Sequence, residues 1–154
     1  MRLKKYLTKN PSQTRGTGRV LAKEILKSPP QKKALILGLK GDLGGGKTTF
    51  LQGFAQGLGI KEKILSPTFV IIKKFKIQSV KRWTNFSHFY HIDCYRIKKS
   101  KEILNLGFKE IISNPQNIVA VEWADRIGKI LPVKNIIINF EFVDQKTRKI
   151  IMGF

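Results

Sequence analysis

The residues Gly41-Asp42-Leu43-Gly44-Gly45-Gly46-Lys47-Thr48 follow the pattern Gly-x-x-x-x-Gly-Lys-Thr, a spacing suited to gripping phosphate. Glycines let backbone N–H groups converge on phosphate oxygens, and a helix beginning at such a loop adds its own unpaired N–H groups and dipole. Lys47 is placed to reach the β and γ phosphates as a point charge, and the Thr48 hydroxyl to coordinate Mg²⁺. Thr49 would continue the anion-binding turn. The pattern therefore predicts a site for ATP or GTP with magnesium.

Such a loop needs a second acid to orient the metal, usually at the carboxyl end of a neighbouring strand, and two positions compete for that role. Ile118-Val119-Ala120-Val121-Glu122 is an apolar strand ending in a carboxylate, as expected at the ligand-binding edge of an open α/β sheet. Asp93 lies in Tyr90-His91-Ile92-Asp93-Cys94-Tyr95-Arg96, where alternation would put His91, Asp93 and Tyr95 on one face. It is either part of the site or the structural partner of Arg96 or a lysine. His88 and His91 would point to opposite faces of that strand, which makes them poor metal ligands. Thr68, in Ser66-Pro67-Thr68-Phe69, is either a β-branched strand residue or a hydroxyl that senses the γ phosphate. Trp123 follows Glu122 directly and fits core packing or a shield over the site better than a base-stacking platform.

The elements that must hold these residues alternate along the chain as in a single α/β domain spanning residues 1–154, with a largely parallel sheet. Ser12 to Lys27 carries Val20, Leu21, Ile25 and Leu26 at helical spacing and stops at Ser28-Pro29-Pro30. Ala34 to Leu39 reads as a buried strand running into the glycine loop. Phe50, Leu51, Phe54, Ala55 and Leu58 then define a helix that Gly59 should close with a left-handed cap. Thr68 to Ile77 and Phe86 to Cys94 read as two strands of a possible hairpin, joined by a basic connection with Lys81, Arg82 and Trp83. A helix from Ser100 to Leu106 ends at Gly107, Asn117 to Glu122 is another buried strand, and Ile136 to Val143 with Thr147 to Met152 form a C-terminal β-hairpin.

Composition narrows the setting. No apolar run approaches the roughly 20 residues of a membrane-spanning helix, and the start, Met1-Arg2-Leu3-Lys4-Lys5-Tyr6-Leu7, lacks the apolar core of a signal peptide. The single cysteine, Cys94, can form neither an internal disulfide nor a multi-cysteine metal site, so a reducing cytoplasm fits best. With 30 Lys and Arg against 10 Asp and Glu the net charge is +20. That excess reflects either a general preference for lysine, since the charge is dispersed, or a surface facing RNA.

Beyond the loop, the blocks Leu58-Gly59-Ile60, Ser66-Pro67-Thr68-Phe69, Tyr90 to Arg96, Leu106-Gly107-Phe108-Lys109-Glu110, Val121-Glu122-Trp123-Ala124-Asp125 and Leu131-Pro132 occur in one order over residues 12 to 150. In this combination the chain resembles the TsaE (YjeE) family, the bacterial ATPase subunit of tRNA threonylcarbamoyladenosine biosynthesis. The resemblance implies a three-layer sandwich of the phosphate-loop NTPase kind. It also implies a cytoplasmic ATPase, using ATP and Mg²⁺, that serves a threonylcarbamoyl transferase subunit and its paralogous partner without making the modification itself. Contact with tRNA would be indirect. Carried over by position, Lys47 and the amides from Gly41 through Gly44, Gly45 and Gly46 to Thr49 hold phosphate. Thr48 and Glu122 hold Mg²⁺, Asp93 is a catalytic candidate, Thr68 matches a switch-like loop, and Trp123 adjoins the metal acid. Thr14 matches a threonine of the first helix and Arg148 a basic residue near the nucleotide. Gly45 stands where the family usually has alanine, Ile92 and Cys94 where it has Phe and Leu, and the stretch between Lys73 and His88 is longer and more basic.

Two other classes share the loop. A small-molecule kinase would need an arginine-rich lid, for which Arg96 and Arg126 are the candidates, and a nucleic-acid-binding module would act through the basic surface.

Overall fold

The computed structural model describes residues 1–66, 71–78 and 84–154. In chain order its elements are β1 (Leu3–Thr8), α1 (Pro11–Leu26), β2 (Leu35–Lys40), α2 (Lys47–Gly57), β3 (Ile72–Lys76), β4 (His88–Asp93), α3 (Ser100–Leu104), α4 (Phe108–Ser113), β5 (Asn117–Glu122), a 3₁₀ turn (Ala124–Ile127), β6 (Ile136–Phe142) and β7 (Arg148–Gly153). Seven strands make one sheet in the order β1-β7-β6-β2-β5-β4-β3. The central run β6-β2-β5-β4 is parallel, while β3 pairs antiparallel with β4, and β7 pairs antiparallel with both β6 and β1. The expected hairpins, β3 with β4 and β6 with β7, are both present.

Burial explains why the centre is parallel. Every residue of β5 is buried, and its Ile-Val-Ala-Val run supplies apolar side chains to both faces. On one face Leu37, Leu39, Ile118, Phe89 and Ile138 pack under Leu21 and Ile25 of α1 and Phe50 and Phe54 of α2. On the other, Ile36, Val119, Val121 and Ile92 meet Ile103, Phe108, Ala124 and Ile127. Helices on both sides of a sheet complete the three layers.

Local chemistry sets the ends. The Asn10 side chain accepts the Gln13 N–H at 2.9 Å and Pro11 opens α1, a cap lying just ahead of the expected start. Beyond α2, Gly59 takes the left-handed conformation (φ 78°), with Gly59 N–H to Gln56 and Ile60 N–H to Ala55, the Schellman pattern that satisfies the last carbonyls. The two helices cross without room for side chains at three glycines: at Gly57, where a Cβ would lie 2.8 Å from the Arg19 carbonyl oxygen, and more tightly at Gly53 and Gly18. A Cβ on Gly53 would lie 1.9 Å from the Arg15 carbonyl oxygen, and one on Gly18 2.2 Å from that of Phe50.

Three elements are not legible in the sequence pattern: β1, α4 and the 3₁₀ turn Ala124–Ile127. β1 is an edge strand whose residues are mostly exposed or half-buried, stabilised by pairing with β7 at the far end of the chain. α3 ends at Leu104 with Asn105 as its C-cap, short of the expected Leu106, and Gly107 in the left-handed region is instead the N-cap from which α4 begins.

Candidate functional site

The loop from Gly41 to Gly46 leaves the carboxyl end of β2 and runs into α2, the strand–loop–helix context that phosphate binding requires. Its turns depend on positive φ at Gly41 (143°), Gly44 (75°) and Gly46 (96°), conformations that side chains disfavour. Gly46 caps α2 without a side-chain hydrogen bond, so the first-turn N–H groups are free of side-chain partners. They face a cavity of about 590 Å³.

Lys47 is buried and folds back into the loop, its Nζ donating to the carbonyls of Gly41 (2.6 Å) and Asp42 (2.8 Å). Its ammonium also lies 4.3 Å from the ring centroid of Trp123. Burial pushes its pKa below the usual lysine value, opposed by the negative charges of Glu122, Asp42, Asp93 and Asp125.

The two competing acids are brought together. Asp93 and Glu122 are register partners at the ends of the parallel strands β4 and β5, and both line the cavity. Their hydrogen-bond partners differ. Glu122 Oε1 accepts the Thr48 hydroxyl at 3.0 Å, and Oε2 lies 2.6 Å from His91 Nε2. Asp93 accepts the Tyr95 N–H at 2.9 Å and the Ser66 hydroxyl at 3.3 Å. Burial holds the Asp93 carboxyl above its ordinary range; the Tyr95 N–H opposes that shift, and the nearby charge of Glu122 adds to it. β4 ends at Asp93, so Tyr95 leaves the strand instead of sharing its face, and its ring packs on Trp123 at 5.1 Å between centroids.

Leu43, Gly44, Gly45, Gly46, Thr49, Thr14, Trp123 and Arg148 also line the cavity. Gly41 and Asp42 sit beneath it and contribute through their carbonyls. Thr14 is buried, bonded to Thr8 of β1 at 2.8 Å between hydroxyls. Arg148 donates through Nε to the Gly44 carbonyl (2.8 Å) and through its terminal nitrogen to that of Asp144 (2.7 Å), joining the β6–β7 turn to the loop. Trp123 is half-buried in the left-handed region (φ 58°), with Lys47 over its ring and Arg126 5.5 Å from the ring centroid. Thr68 lies outside the described residues.

Some lining residues carried no signal that sequence reading used. Lys9, Asn10 and Pro11 enter with the start of α1, and Gln145 and Lys146 with the β6–β7 turn. His91 faces the opposite side of β4 from His88, as strand alternation predicts; its bond to Glu122, 31 positions away, depends on β4 and β5 being neighbours. Among the described residues no group of three or more His, Cys, Asp or Glu could hold a metal. Thr48 and Glu122 instead suit magnesium, which takes one or two protein oxygens and fills its shell with water and substrate phosphate.

A glycine loop between a buried parallel strand and a helix, with the acid of a neighbouring strand bonded to the loop's threonine, defines the phosphate-loop class of α/β nucleotide-binding proteins. Within that class, the family model described as "Threonylcarbamoyl adenosine biosynthesis protein TsaE" matches residues 8–150, and the chain belongs to this family. It is 38% identical over 132 residues to the tRNA threonylcarbamoyladenosine biosynthesis protein TsaE of Bacillus subtilis, covering 86% of this chain and 73% of that one. The protein of the same name from Haemophilus influenzae is 32% identical over 121 residues, 79% and 72% of the two chains. The crystal structure of YdiB from Bacillus subtilis superposes with a TM-score of 0.72 at 32% identity, covering 98% of this chain and 84% of the other.

Proposed function

We propose that this chain, acting as one domain over residues 1–154, is a magnesium-dependent ATPase that serves as a switch subunit in the threonylcarbamoyladenosine modification of tRNA. The observation that carries the reading is the Thr48–Glu122 bond at the head of α2, beside the loop and facing the cavity. The relatives' names supply the pathway.

In this reading the amides of Gly44 to Thr49 hold phosphate, and Lys47 exchanges the carbonyls of Gly41 and Asp42 for the β and γ oxygens. Thr48 and Glu122 would hold magnesium, which would supply positive charge against that developing on the departing phosphoryl group. Asp93, free of Thr48 and raised by burial, orients the attacking water and takes its proton. Trp123 keeps bulk water from the Lys47 side. Turnover of ATP resets the transferase subunit and its paralogous partner between rounds, and tRNA is reached through them.

The test is repeated rounds of tRNA modification by the reconstituted transferase complex. With the wild-type chain and ATP, product should exceed the complex many times over; with Lys47→Ala it should stop near one equivalent. A folded Lys47→Ala protein that sustains as many rounds as wild type would remove the reading.

A further inference from the structure

His91 is buried beside the cavity and has no step in the reaction proposed above. It sits on β4 two residues ahead of Asp93 and is 1% exposed; Glu122 is 2% exposed. In register His91 stands opposite Ala120 and Asp93 opposite Glu122, so the imidazole reaches diagonally across the pair of strands to Glu122 Oε2 at 2.6 Å. The methyl group of Ala120, two positions before Glu122 on the same face, leaves space for the ring to make that reach.

The consequence concerns aim. A buried carboxylate with a single partner can rotate about its last torsion, which is broad and roughly two-fold. Glu122 has a partner on each oxygen: the Thr48 hydroxyl on Oε1 and His91 on Oε2. They come from different elements, the first turn of α2 and the neighbouring strand β4. Together they hold the carboxylate plane with one oxygen at the loop.

We infer that His91 is a positioning residue, donating through Nε2 to Glu122 Oε2 so that Oε1 stays beside Thr48 and the pair that receives the divalent cation is set before the cation arrives. His91 is not itself a ligand, because the nitrogen near the site is occupied by the carboxylate. The inference rests on the reading that Thr48 and Glu122 hold magnesium. Groups that hold a ligand from behind typically contribute about 10- to 100-fold to metal affinity.

The experiment is calorimetric titration of the full chain with ADP, in EDTA and across a range of Mg²⁺, for wild type, His91→Ala and His91→Gln, with thermal unfolding to verify the fold. His91→Ala should raise the Mg²⁺ concentration needed for half of the magnesium-dependent gain in ADP affinity by about tenfold or more. Its affinity in EDTA should stay within about twofold of wild type, because phosphate contacts do not pass through Glu122. His91→Gln, which keeps an N–H at a similar reach, should recover most of the loss. An unchanged magnesium requirement in folded His91→Ala would overturn the inference. So would an equal loss of affinity in EDTA, or failure of His91→Gln to recover, since either makes His91 a general support of the fold. If wild type itself gained nothing from Mg²⁺, the magnesium-site reading would fail first, an outcome distinct from these.

Discussion

Asp93 and Glu122 end adjacent strands in register, yet they are held by different chemistry. Glu122 is bonded to the loop threonine and a histidine, whereas Asp93 is bonded to a backbone N–H and a serine. Burial raises the Asp93 pKa, so the folded protein binds that proton more readily than the unfolded chain does. The sign follows: above the folded pKa the ionised, buried form costs stability, and the cost fades as pH falls through the raised value toward the ordinary aspartate value of 3.8. Asp93→Asn should therefore fold at least as stably as wild type at neutral pH while losing about 100-fold or more in ATP hydrolysis. Its stability advantage should shrink in mildly acid buffer. Urea unfolding at several pH values together with phosphate release measures both; an Asn variant less stable at neutral pH, or one that keeps full hydrolysis, would contradict this account of Asp93. The pattern of residues along one strand singles out both acids. Their different partners, Thr48, Ser66 and His91, are brought within reach only by the folded sheet.

At the scale of elements, α1 and α2 are held together by glycines where side chains would collide, and that crossing carries Thr14 against the loop, its methyl 3.5 Å from where a Cβ on Gly46 would stand. Gly53→Ala would force a Cβ toward the Arg15 carbonyl and should cost about 1–3 kcal/mol by overpacking. Gly16→Ala is the matched control: nothing lies within 4 Å of its Cβ, and in the interior of α1 it should stabilise by about 0.5–1 kcal/mol. Equal effects of the two substitutions in denaturant unfolding would show that the crossing is not tight. Helices α1 and α2 and strand β5 are legible because Leu21, Ile25, Phe50 and Phe54 repeat at helical spacing and Ile118 to Val121 form an unbroken apolar run. β1 is not: Lys4 and Lys5 interrupt its alternation, and its partner, β7, lies at the other end of the chain.

Across the whole molecule, the glycine loop, the two strand-end acids, the first turn of α2 and the β6–β7 turn converge on one cavity at the carboxyl edge of the parallel strands. Its position followed from the order of elements in the sequence, since ligands of open α/β sheets sit at that edge. The contribution of the β6–β7 turn did not, because Arg148 reaches Gly44 only through sheet closure. On the basic surface, Lys4 pairs with Glu24 and Lys149 with Glu141. At the β3–β4 margin the pKa of His88 is lowered by burial and by the charges of Lys74 and Lys76.

We propose that this loop and its acid hydrolyse ATP on behalf of a partner. The most direct test is phosphate release from ATP by the pure chain with Mg²⁺, alone and with the transferase subunits from the same organism, with Glu122→Ala alongside. Slow release alone, a rise of at least about tenfold in the complex, and loss of that rise in Glu122→Ala are the results expected of a site completed by its partner. No rise in a demonstrably assembled complex would contradict the account.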